Sequence, residues 1–188
     1  MTRLILVKHA MPDIIPDVPA RDWLLSDQGR QDCLTLADQL VLYKPDTVIT
    51  SHEPKASETG RIVANRLHLP VTEADDLHEH DRRQEPYQDA GSFQARVQAF
   101  FTRPDNLVYG LETANAAHDR FAEAVDLVLQ ECTGKTPVIV AHGTVISLYV
   151  ARQLGIDPYL LWKALLLPSF LVLDDHLLIA HWNTTLES

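Results

Sequence analysis

The chain has 188 residues, 46% apolar and 22% charged, with 26 acidic against 16 basic residues and a formal net charge of -10. That length can bury a sizeable core within one domain. The acidic balance argues against nucleic acid and anionic membrane surfaces as main partners. An anionic ligand would need a site that concentrates positive charge locally.

The first apolar run, Leu4-Ile5-Leu6-Val7, has neither a helical nor an alternating period. It fits a strand buried on both faces of a parallel sheet. Lys8 and His9 close it, and Pro12 ends any regular element. This run is too short for a signal-peptide core, and no stretch reaches the ~18 apolar residues that span a bilayer. A cytoplasmic location is therefore expected. Cys33 and Cys132 show no CxxC spacing, so neither a disulfide framework nor a zinc ribbon is indicated.

Ser26 or Asp27 can cap a helix, in which Cys33, Leu36, Ala37 and Leu40 recur at helical spacing until Pro45. A second buried strand is expected at 47–50, followed by Ser51-His52-Glu53-Pro54-Lys55. Pro54 is placed to open a helix running to about His68. A short strand is expected at 69–72. Residues 75–83 are dense in ionisable groups, a loop follows at 86–91, and helices are expected at about 91–102 and 112–132. The third buried strand, Val138-Ile139-Val140-Ala141, ends in His142-Gly143 and a helix to Leu154, with Gly155 and Pro158 as stop signals. Phe170–Leu173, a turn at Asp174-Asp175 and Leu177–Trp182 read as an antiparallel edge hairpin. Strands alternating with helices predict a three-layer α/β/α sandwich with a mostly parallel sheet. The whole chain reads as one domain, with an insertion at about 76–118.

Three buried strands thus deliver His9, then Ser51 and Lys55, then His142 to the carboxyl rim of the sheet, where ligands bind in open α/β folds. Two of them lead into helices whose free N–H groups favour an anion. Each piece alone has an ordinary explanation. A histidine after a strand is commonly a rim residue, Lys8 and Lys55 would be solvated charges, and Glu79 would be a wet loop carboxylate. Repetition across three strands is what points to a phosphate-sized pocket.

At these residues a family resemblance appears. Leu6-Val7-Lys8-His9-Ala10 resembles the Leu-Val-Arg-His-Gly signature of the histidine phosphatase superfamily, the phosphoglycerate mutase-like proteins. Leu25 to Gln31 is similar to the family's Leu-Thr-x-x-Gly-x-x-Gln helix start. Ser51 to Thr59 resembles its Ser-x-x-x-Arg-Ala-x-x-Thr segment, with Lys55 at the arginine position. Leu77-His78-Glu79 is similar to the Leu-x-Glu carrying the acid, and Ala141-His142-Gly143 to the second histidine with its glycine.

The resemblance implies a metal-independent, cofactor-free phosphatase acting on a small phosphorylated substrate. His9 would be the nucleophile that becomes phosphohistidine. Lys8, Lys55, Ser51, His142 and Gly143 would hold the phosphoryl oxygens, with His142 also counted as catalytic. Glu79 would be the general acid and base, its proton affinity raised by Asp75, Asp76 and Asp81. Arg82, Arg83 and Tyr87, with Arg103 and Tyr109, are candidates to touch the leaving group.

Departures from the family pattern keep alternatives open. Both signature arginines are lysines, and the glycine after the nucleophile is Ala10. Lysine is a flexible point charge where arginine offers a planar fork. Either the pocket serves an unusual substrate, or the chain binds a phosphorylated ligand with little turnover. A phosphoglycerate mutase-type phosphotransferase and a metallohydrolase built on His78-Glu79-His80-Asp81 are further readings. The oligomeric state stays open, a dimer included, since the apolar stretch Leu160–Leu167 fits a subunit contact as well as a core.

Overall fold

Runs of branched aliphatic residues set the sheet. In the computed structural model, which describes residues 3–186, β1 (Arg3–Lys8), β2 (Thr47–Thr50), β3 (Val71–Glu73), β4 (Pro137–Ala141), β5 (Leu165–Asp174) and β6 (Leu177–Thr184) form one six-stranded sheet. Their order is β3-β2-β4-β1-β5-β6. The first four strands pair in parallel, and β5 and β6 join antiparallel.

The helices are α1 (Asp27–Leu40), α2 (Pro54–Leu67), α3 (Ala90–Thr102), α4 (Ala114–Glu131), α5 (Gly143–Leu154) and α6 (Pro158–Ala164). Alternation along the strands sorts side chains to two cores. Ile5, Val7, Val138 and Val140 pack with Leu36, Ala37, Leu40, Val63 and Ala64 of α1 and α2. Leu4, Leu6, Ile139 and Ala141 pack with Phe121, Val125, Ile146 and Tyr149 of α4 and α5. The sandwich is therefore three-layered, as the alternation of strands and helices predicts.

This topology creates a crevice. Adjacent parallel strands β1 and β4 hand the chain to helices on opposite faces, α1 on one side and α5 on the other. Such a reversal opens a cleft at the strands' carboxyl ends. Lys8 pairs with Ala141 in register, so His9 and His142 are the next residues out on neighbouring strands. The His9 N–H still donates to the Ala141 carbonyl at 3.1 Å.

Local signals explain most boundaries. The Ser26 side chain accepts from the Gly29 N–H and caps α1, and Pro54 occupies the first turn of α2. The carboxyl end of the chain differs from expectation. α5 ends at Leu154 with Gly155 as its cap, as expected, but Pro158 also opens α6, a helix not foreseen, because the Asp157 side chain accepts from the Tyr159 and Leu160 N–H groups. β5 starts at Leu165, earlier than expected, and carries Pro168 where the β5–β6 register shifts, a position that needs no ladder N–H. The hairpin turn sits at Asp175-His176, both at positive φ, and not at Asp174-Asp175. Of the stretch 160–167, Leu161, Ala164 and Leu165 are buried, while Leu160 and Leu166 are exposed.

Candidate active site

His9 is buried just beyond β1, and its ring Nδ1 lies 2.7 Å from its neighbour's backbone oxygen, Ala10 O. A carbonyl can only accept, so Nδ1 carries the hydrogen and Nε2 keeps the lone pair. Burial, then the neighbouring His142 and Lys55, hold His9 well below the usual histidine range. The ring is a neutral base with a fixed tautomer.

His142 follows β4 and is fully buried. Its ring meets His9 edge to face, with centroids 5.2 Å apart. Its Nε2 is 3.0 Å from the Ser51 hydroxyl, whose oxygen also accepts the Glu53 N–H at 3.2 Å. The hydroxyl hydrogen is thus free for Nε2, while Nδ1 is buried with no partner among the described residues. Burial, then Lys55, push His142 well below its usual range too. Two neutral imidazoles share one floor.

The lysines approach from either side. Lys8 Nζ donates to the Leu165 carbonyl at 2.7 Å and lies against Gly143, where an added Cβ would meet Lys8 Cε at 3.1 Å. Burial lowers Lys8 to about 8, with Glu79 opposing that shift. Lys55, in the first turn of α2, donates to the Ala20 carbonyl at 2.8 Å and forms a buried ion pair with Glu53. Glu79 sits across the floor. Its Oε1 accepts the His80 N–H at 2.9 Å and its Oε2 the Thr144 N–H at 3.1 Å, in the first turn of α5.

These groups open into a cleft of about 1040 Å³, also lined by Trp23, Arg82, Tyr87, Phe93 and Trp162. Arg82 stacks over the Phe93 ring, 4.4 Å from its centroid, and no carboxylate pairs with it among the described residues. Arg83 also lines the cleft but is held by Asp81, with Nε–Oδ1 at 2.9 Å. Tyr87 is half exposed at the rim, and Tyr109 is buried against His80 and Phe100. Arg103 is exposed beyond α3 and does not line the cleft.

Several details differ from the residue-level expectations. Asp75 turns to His52 at 3.0 Å and Asp81 to Arg83, so neither carboxylate is engaged with Glu79. The stretch His78-Glu79-His80-Asp81 does not gather. His80 is buried between Phe100 and Tyr109, and no group of three or more His, Cys, Asp or Glu side chains among the described residues could share a metal ion. The Ala10 methyl packs with Leu25 and Cys33, and its N–H donates to Thr59 Oγ1 at 3.1 Å.

Sequence reasoning missed Glu53. It is buried, pairs with Lys55, and through Oε1 accepts the Glu79 N–H at 2.9 Å. The available signal was an acid two residues before a lysine, with the intervening proline setting both at a helix start.

The model of the histidine phosphatase superfamily (branch 1) matches residues 4–171. The chain is 29% identical over 165 residues to the uncharacterized phosphatase PhoE of Bacillus subtilis, covering 85% of this chain and 81% of that protein. Its fold is similar to the phosphoserine phosphatase of Entamoeba histolytica, solved with 3-phosphoglyceric acid, at a TM-score of 0.76, 19% identity and 98% coverage of both chains. It is also similar to a mycobacterial glucosyl-3-phosphoglycerate phosphatase, at a TM-score of 0.73 and 20% identity, covering 97% of this chain and 99% of the other. With a rim of two imidazoles at adjacent strand ends and a family match spanning most of its length, the chain belongs to the histidine phosphatase superfamily.

Proposed function

We propose that this chain hydrolyses a phosphomonoester through a phosphohistidine on His9. The observation that carries the reading is the tautomer of His9. Its Nδ1–H is spent on the Ala10 carbonyl, which leaves the Nε2 lone pair beside His142 at the floor of the cleft.

In the first step His9 Nε2 forms the N–P bond as the P–O bond to the alcohol breaks, and protonated Glu79 gives its proton to the leaving oxygen. In the second, water attacks phosphorus, carboxylate Glu79 takes its proton, and the N–P bond breaks to release phosphate and neutral His9. Lys8, Lys55 and the unpartnered Nδ1 of His142 offer positive charge and a donor to the phosphoryl oxygens. Ser51 fixes the His142 tautomer. Gly143 leaves room for Lys8.

The segment 76–118 acts as the substrate-side insertion, with Arg82, Tyr87 and Phe93 as its contact surface for the leaving group. The phosphatase names among similar proteins support hydrolysis over a mutase reaction. Turnover of p-nitrophenyl phosphate that is lost in His9→Ala, with Tm unchanged, is the expected result.

One observation favours a second reading, a binder of phosphorylated ligands. Both lysines already have partners in the resting site, Lys8 the Leu165 carbonyl and Lys55 the Glu53 carboxylate. Wild-type inactivity across a broad phosphoester panel, with phosphate still bound, would establish that reading instead.

A further inference from the structure

Glu53 has no part in the chemistry described so far, yet it is a carboxylate inside the phosphate site. Its side chain and that of Lys55 are 9% and 7% exposed. Oε2 pairs with Lys55, while Oε1 accepts the Glu79 N–H at 2.9 Å and lies 3.8 Å from His142 Nε2. We propose that Glu53 sets the charge of the phosphoryl pocket, so that it receives a phosphoryl group carrying one negative charge in preference to two. This assigns a specificity role within the phosphate site inferred above and rests on that location.

Buried charge around Glu53 sets which anion fits. The groups facing Glu53 are Lys55 from α2, His142 from the β4–α5 junction, and Glu79 and His78 from the loop before α3, with Lys8 at the end of β1 and His9 just after it lying beyond them. Burial keeps both floor imidazoles neutral. When Glu79 holds the proton it must donate, the charges left on the floor are two lysines and one carboxylate, Glu53, while Arg82, which also lines the cleft, is held over the Phe93 ring. The floor then carries one net positive charge, which a monoanion balances. Without Glu53 it would carry two and match a dianion. In a buried site an unbalanced charge is far more costly than at the surface, so this single carboxylate decides between the two forms. The substrate class is accordingly a phosphomonoester entering with one proton still on its phosphoryl group.

Perrhenate and tungstate test this without turnover, being tetrahedral oxyanions of similar size that carry one and two negative charges. Their dissociation constants are measured by calorimetry at neutral pH for the wild type, Glu53→Gln and Lys55→Gln. Glutamine keeps an oxygen to accept the Glu79 N–H, so the loop stays anchored. The preference of the wild type for perrhenate over tungstate should fall by about tenfold or more in Glu53→Gln. Lys55→Gln should weaken both anions and tungstate more. An unchanged ratio in Glu53→Gln that binds either anion would overturn the proposal and make Glu53 a structural clamp. Competition of each anion with inorganic phosphate reports on location. If neither anion competes with phosphate in the wild type, the phosphate site itself is misplaced, and the proposal falls with it. Thermal unfolding of each variant identifies a folding failure, in which case Glu53→Ala must show the same loss of preference.

Discussion

At the scale of single residues, the site is a set of hydrogen bonds that leave one atom free on each ring. His9 spends Nδ1–H on Ala10 and His142 meets Ser51 through Nε2, so His9 Nε2 and His142 Nδ1 remain. Removing His9 should cost about a thousandfold or more in kcat, since nucleophile losses are of that order. Lys8 makes a pH prediction. Burial has brought it down to about 8, so its charge is present below that value and lost as pH rises through it. KM for an aryl phosphate should therefore climb between about pH 7 and pH 9 in the wild type. Lys8→Arg should abolish that limb, because a guanidinium keeps its proton, and a limb that persists in the arginine variant would assign it to another group. The residue scale is also where the sequence was least legible. His9, His142, Glu79 and both lysines could be picked out because each follows a recognisable strand or motif. Glu53 could not, because its importance lies in burial and in a bond to the Glu79 backbone 26 positions away.

Elements position these atoms through close packing of α2 on the sheet. Gly60 is the contact point, where an added Cβ would stand 2.1 Å from Thr50 Cγ2 of β2. Two effects compete in Gly60→Ala. Alanine gains about 1 kcal/mol in a helix interior over glycine, while overpacking a buried contact costs about 1–3 kcal/mol. The neighbour is a fully buried strand residue with no room to retreat, so the clash wins and Tm should fall. Thr50→Ser removes the offending methyl and should recover most of the loss in the double variant; thermal melts of the three proteins check it. Elements were the most legible level. Buried strands announce themselves as three or four branched residues in a row, and Ser26 marks the start of α1. α6 was hidden because Pro158 reads equally as a stop or as a first-turn residue, and only the Asp157 cap resolves which. The early start of β5 was hidden by Pro168, which a regular strand interior excludes.

Across the whole molecule, the reversal of connection between β1 and β4 creates the cleft, and the overall acidity surrounds it. The rim carries Asp22 and Asp75, both well exposed, on a chain whose formal charge is -10. Screening should relieve repulsion of an anionic substrate. Raising monovalent salt from about 20 to about 200 mM is expected to raise kcat/KM for an anionic ester severalfold, whereas a cleft dominated by its lysines would show the opposite slope. This level was legible in outline, since alternating strands and helices already imply a cleft at the carboxyl rim, although the strand order that opens it between β1 and β4 emerged only from long-range pairing. The claim on which the account turns is that His9 carries the phosphoryl group. Rapid acid-free quenching during turnover of a ³²P-labelled phosphomonoester, followed by peptide mapping, measures it directly. The account predicts base-stable, acid-labile label on the peptide bearing His9 and none in His9→Ala. Turnover with no label on that peptide, or turnover undiminished in the variant, would contradict it.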